Sequence, residues 1–168
     1  RIATNDNRVA GGVLRDGVLT IKLQIQRGEW HPDRDTDPGI PVLAFGEEGK
    51  SLQIPGPLIR VPRGTEVRAT LRNLSDSTIV VIGFAAPNAI AGTDTIHVNA
   101  GESREARFMA STPGTYFYRC RRMVAGPNAG VVGGICPTES SQLSGAIVVD
   151  ERPAAGKPQE RIFVLGLW

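Results

Sequence analysis

The pattern that most limits how this chain can fold is an apolar side chain at every second position, interrupted by Gly or Pro roughly every ten residues. Successive side chains of a β-strand point to opposite faces, so this period separates a buried face from a wet one. The stretch 18–25, VLTIKLQI, alternates cleanly, with Lys22, Gln24 and then Gln26 in the water-facing positions. The helix signal, apolar residues three and four apart, is nearly absent. With 20 Gly and 12 Pro as punctuation in 168 residues, the pattern predicts an all-β sandwich or barrel.

Further strands follow from the same reading. A short strand is expected at 58–61, a turn at Pro62-Arg63-Gly64, and a strand at 67–71. The run 77–84, STIVVIGF, is apolar almost throughout and predicts a central strand covered on both faces. Two strands joined by a turn at 99–101 come next, then a strand at 114–122, GTYFYRCRR. Residues 123–141 form a long Gly-rich loop, and QLSGAIVVD supplies the closing strand. The polar stretch 151–160 reads as a linker, and RIFVLGLW at 161–168 as one more apolar strand with no domain after it. The organisation expected is a tail at 1–11, one domain at 12–150, and a linker with an orphan strand at 151–168.

A net charge of +2 is too small, and its basic residues too dispersed, to point to nucleic acid. No apolar run approaches the ~18 residues of a membrane span. The chain begins at Arg1, which fits a removed leader as well as a longer chain. His31 and His97 are far apart and neither sits in a ligand motif; His97 reads as a strand-surface residue and His31 as a loop residue. Asp33, Asp35 and Asp37 resemble a calcium loop only loosely, because Gly is missing at the sharp turn, so a solvated acidic loop is expected. Arg119 and Arg121 alternate around Cys120 and should share a strand face. Together with Arg122 they read either as surface arginines or as a cluster for anionic groups of a partner.

The segments PGPLIRVPRGTEVRATLRN, TIVVIG, GTYFYR and QLSGAIVV, in that order, resemble the first cupredoxin domain of a multicopper oxidase. The resemblance covers residues 12–168 and implies a cupredoxin-like Greek-key β-sandwich. In that family a polar linker leads to the strand that opens a second domain, which accounts for 151–168. The family's chemistry rests on His-x-His pairs that hold copper. Where one pair would stand this chain has Val80 and Ile82, and where the other would stand it has Arg119 and Arg121. Val and Ile carry no donor atom, and Arg is a permanent cation with no lone pair to give. A mononuclear blue-copper site fails too, since no His follows Cys120.

The resemblance therefore implies a non-catalytic, copper-free protein without cofactor, working as a structural or interaction subunit of a larger periplasmic or otherwise extracytoplasmic assembly. A membrane electron-transfer complex, respiratory or photosynthetic, is the host that family context suggests. The partner-binding residues expected are Arg119, Arg121, Arg122, Phe163 and Trp168. The alternative is the N-terminal domain of a longer, laccase-like multicopper oxidase, with copper held by domains outside this chain. An anion- or small-molecule-binding domain ranks third. Cys120 and Cys136 flank the Gly-rich loop, and their favoured reading is a disulfide worth about 3 kcal/mol. The competing reading is a reactive thiol at Cys120 beside the arginines.

Overall fold

The computed structural model describes residues 1–34, 36–85, 94–122, 142–151 and 160–164. Among these residues there is no helix, and the strands build two facing sheets. The seven-stranded sheet runs β1 (Ala3–Thr4), β5 (Leu52–Ile54), β4 (Ile40–Glu47), β3 (Val18–Trp30), β7 (Thr65–Asn73), β10 (Ser103–Ala110), with β2 (Val13–Arg15) paired to β3. The five-stranded sheet runs β6 (Gly56–Pro62), β12 (Ser144–Asp150), β11 (Gly114–Arg122), β8 (Ile79–Ile82), β9 (Ile96–Val98).

The alternation read from the residues decides what lies between the sheets. Leu19, Ile21, Leu23 and Ile25 of β3 and Val67, Ala69 and Leu71 of β7 are buried. They meet Ile79 and Val81 of β8, Tyr118 and Cys120 of β11, and Ile147 and Val149 of β12 in one apolar cluster. Tyr118, 0% exposed, sits in this core, edge-on to Phe45 (5.1 Å between ring centroids) and tilted against Phe84 (5.0 Å). Its hydroxyl donates to the Pro57 carbonyl at 2.7 Å. Desolvation pushes the phenol far above its ordinary pKa. The ring fits because Gly56 and Gly145 lack side chains; a Cβ on Gly145 would lie 2.3 Å from the Tyr118 ring.

Three parts of the chain differ from the sequence reading. β3 continues past residue 25 to Trp30 and pairs antiparallel with β4 as far as Ile40. Residues 1–11 are laid into the sandwich: β1 pairs parallel with β5, Ala10 bridges to Leu58, and Ile2 is buried with Val42, Ala44 and Leu52. The apolar run at 77–84 contributes only Ile79–Ile82 as strand, because Gly83 turns the backbone with φ +99°. β8 is nonetheless interior, flanked by β11 and β9, with Ile79, Val80 and Val81 buried.

At the edge of the larger sheet, β10 and its neighbour β7 carry Glu66–Arg68 and Glu105–Arg107 pairs at 2.9–3.0 Å. Each arginine holds its glutamate below the usual carboxylate range. Charges arrayed along a sheet margin discourage another strand from adding there.

Candidate functional site

In an antiparallel ladder, residues directly opposite each other project to the same face. β11 pairs with β8 so that Arg119 faces Ile82, Cys120 faces Val81, and Arg121 occupies the position opposite Val80. The four residues singled out from the sequence thus occupy two adjoining cross-strand pairs. Because Tyr118, Cys120, Ile79 and Val81 fill the core, Arg119, Val80 and Ile82 belong to the outer face of the five-stranded sheet. The side chains of Arg121 and Arg122 lie outside the described set.

β9 adds a residue that the sequence reading had left aside. His97 pairs with Val80 and is exposed, so one imidazole stands beside the Val80 position. No signal in the sequence marks this neighbour, since it depends on the register of the β8–β9 pair. One His beside Val, Ile and Arg does not make a copper site: the apolar side chains donate nothing and the guanidinium repels a cation. Among the described residues no group of three or more His, Cys, Asp or Glu is placed to hold a metal ion. The residues at this face do not fit copper.

Arg119 instead lies over the ring of Phe117, with 5.3 Å from guanidinium carbon to ring centroid. That stacking uses the flat face of the guanidinium and leaves its N–H edge available. Phe117 itself is 55% exposed. Cys120 points the other way, into the apolar core at 2% exposure, and is not a free thiol. The reactive-thiol reading needs an accessible, electropositive sulfur, and this position denies the access. Cys136 lies outside the described residues.

Next to Phe117 the outer face is covered by the chain's own C-terminal segment. Ile162 and Val164 pack on Leu58 of β6 and on Ala146 and Val148 of β12. Residues 160–164 form no strand; side chains hold them in place. Arg60 grips Asp150 with two hydrogen bonds (2.8 and 2.9 Å) and reaches Glu160 at 2.9 Å. The bonds to Asp150, with those to Glu160, raise the Arg60 pKa still further above its ordinary value. Asp150 is 5% exposed, and a carboxylate so placed needs a cation. From the other side, Asn7 donates its side-chain amide to the Ile162 carbonyl at 3.1 Å. Asn7 is buried, with φ +54°, and its backbone N–H is tied to Asn5 Oδ1 at 3.0 Å. Phe163, between the packed side chains of Ile162 and Val164, is 76% exposed. Trp168 lies outside the described residues.

The other residues read from the sequence stay apart from this face. His31 donates from Nδ1 to the Asp37 carbonyl at 2.9 Å and stands 3.6 Å from Glu29, bracing the end of the β3–β4 hairpin. Asp33 and Asp37 are exposed, and Asp35 lies outside the described residues.

A family model described as multicopper oxidase matches residues 49–141, more than half of the chain. The chain is 29% identical over 161 residues to a probable nitrite reductase–hydroxylamine oxidoreductase fusion protein of Kuenenia stuttgartiensis, covering 90% of this chain and 18% of that one. Among solved structures, a multicopper oxidase from Campylobacter jejuni matches with TM-score 0.57 and 18% identity over 89% of this chain and 29% of its own. A copper nitrite reductase from Nitrosomonas europaea matches with TM-score 0.55 and 25% identity over 84% of this chain and 45% of its own. The chain therefore spans less than half the length of each of these relatives. The fold they share with it is the cupredoxin-like β-sandwich.

Proposed function

The chain belongs to the multicopper oxidase family, and on that premise we propose a cupredoxin-like domain that holds no copper at this face and serves as a non-catalytic structural and interaction subunit of a larger extracytoplasmic assembly. The observation that carries the reading is the register of β11 on β8, which sets Arg119 against Ile82 and Arg121 against Val80. The four positions that the resemblance matches to metal donors are occupied by residues with no electron pair to give. A redox assembly as host is supported by the Kuenenia relative, whose name joins two redox enzymes. Among the described residues no helix is long and apolar enough to cross a membrane.

Elemental analysis of the purified protein after mild chelation tests the copper-free state. Copper far below one ion per chain is expected, and stoichiometric copper overturns the reading. The second reading, one domain of a longer copper enzyme, is favoured by the small share of each relative that this chain covers. The intact mass of the native protein separates the two: a mass near 17.9 kDa supports a stand-alone subunit, and one two or three times larger supports a multidomain chain.

A further inference from the structure

The outer face of the five-stranded sheet carries an arginine stacked on an exposed aromatic ring with no carboxylate beside it among the described residues. On the larger sheet Arg68, Arg104 and Arg107 each hold a glutamate two residues earlier in the chain. Arg60 and Arg63 are matched by Asp150, Glu160 and Glu151. Arg119 has no carboxylate partner among the described residues; its one recorded contact is the Phe117 ring. Asp150 and Glu160 are engaged by Arg60, and Asp94 by the backbone N–H of Gly83.

Two open aromatic rings adjoin this uncompensated cation. Phe117 pairs across the ladder with Ala146, and Ala146 lies beneath the Ile162 and Val164 side chains. Phe163, between Ile162 and Val164, therefore belongs to the segment that lies over the strand next to Phe117. The segment that presents it is held before Phe163 by Arg60 through Glu160 and by Asn7 through the Ile162 carbonyl, and after it by the packing of Val164 on the sheet. A pre-ordered aromatic loses little conformational entropy when a partner covers it, and aromatic and arginine side chains dominate binding at protein interfaces.

We propose that Phe117, Arg119 and Phe163 form a docking face for an acidic segment of a partner protein that also carries apolar side chains. This rests on reading the face as an interaction surface rather than a metal site. The partner's carboxylate meets the free N–H edge of Arg119, whose flat face is already taken by Phe117. Its apolar side chains cover Phe117 and Phe163. The exposed Arg161, on the covering segment, has the same sign as Arg119, which steers an acidic segment toward the face and repels a basic one.

The test uses a fluorescent peptide of alternating Glu and Phe, a matched peptide with Lys in place of Glu, and vesicles of neutral and anionic phospholipid. The full chain should bind the Glu peptide, more weakly as salt rises, and should not bind the Lys peptide. Arg119→Glu should weaken binding about tenfold or more, and Phe163→Ser and Phe117→Ser severalfold each. Met109→Ser, on the opposite sheet and 49% exposed, should leave it unchanged. Thermal midpoints within error of the parent chain show that each variant is folded. No binding of the Glu peptide by the parent chain, or equal binding by Arg119→Glu and the parent, overturns the proposal. Binding to anionic vesicles in place of the peptide overturns it in favour of a lipid surface. Copper content is measured on the same preparation, so loss of the copper-free reading and loss of the docking face are seen separately.

Discussion

Replacing Tyr118 by Phe removes one oxygen atom and leaves the ring in a slot cut to its outline by Gly56 and Gly145. The Phe45 and Phe84 contacts at 5.1 and 5.0 Å persist, so the loss is confined to the 2.7 Å hydrogen bond to the Pro57 carbonyl. A buried acceptor deprived of its donor costs about 1–3 kcal/mol. For a domain of this size that lowers the thermal midpoint by about 2–12 °C with an unchanged denaturant m-value. The alkaline limb gives a sharper check. The folded-state pKa of Tyr118 is raised by desolvation, whereas the unfolded phenol titrates near about 10. Above that pH the unfolded chain releases a proton that the folded chain keeps, so the Tyr contribution is complete below about pH 10 and declines as pH rises, by about 1.4 kcal/mol per unit. Tyr118→Phe has no such decline. Its deficit should shrink above pH 10 and reverse within about one to two units. Guanidinium melts of both proteins from pH 8 to 12 measure this. Parallel pH profiles, or a variant as stable as the parent at pH 8, refute the assignment of Tyr118 as a buried neutral donor.

Gly145→Ala should destabilise by about 1–3 kcal/mol or more, since its Cβ meets the Tyr118 ring, and pairing it with Tyr118→Ala should recover part of the loss in a double-mutant cycle. Arg60→Ala removes the two hydrogen bonds that the guanidinium gives the buried Asp150 and should cost about 3 kcal/mol, while Arg60→Lys should retain part of the stability because one point contact survives; chemical denaturation reports both. Peptide mapping without reductant should recover Cys120 linked to Cys136, and reduction should lower stability by about 3 kcal/mol. Two free thiols in protein taken from its native compartment would remove that pairing.

Strands that bury one face on the core announced themselves by alternation, and β3 up to Ile25 is the plain case. Past Ile25 the period weakens at Arg27-Gly28-Glu29, where the β3–β4 ribbon has left the main core, so the ladder continues without a buried stripe to mark it. The parallel pairings β1–β5, β3–β7 and β6–β12 join residues far apart in sequence, and a local pattern carries no trace of them. That is why the Asn-rich start of the chain read as a loose tail. The positions Val80, Ile82, Arg119 and Arg121 were legible through motif spacing, and the β8–β11 register brings them together. The Arg60–Asp150–Glu160 clamp was not, because its members are 90 and 100 residues apart. Its local sign was present in Arg60, a charged residue set between the core side chains Ile59 and Val61.

The hydrogen bond from Asn7 to Ile162 spans 155 residues of chain, and it sets a timetable for folding. At a synthesis rate of about 5–20 residues per second, the amide of Asn7 waits roughly 8–30 s for its acceptor. Leu58 is made early, and Ala146 and Val148 late, yet the stripe they form stays open until residues 160–164 arrive to cover it. A chain arrested between residues 151 and 160 would hold nearly every strand while displaying an uncovered apolar stripe. Such a nascent species is one that chaperones bind, and its aggregation should cease once the last anchoring residues clear the ribosome.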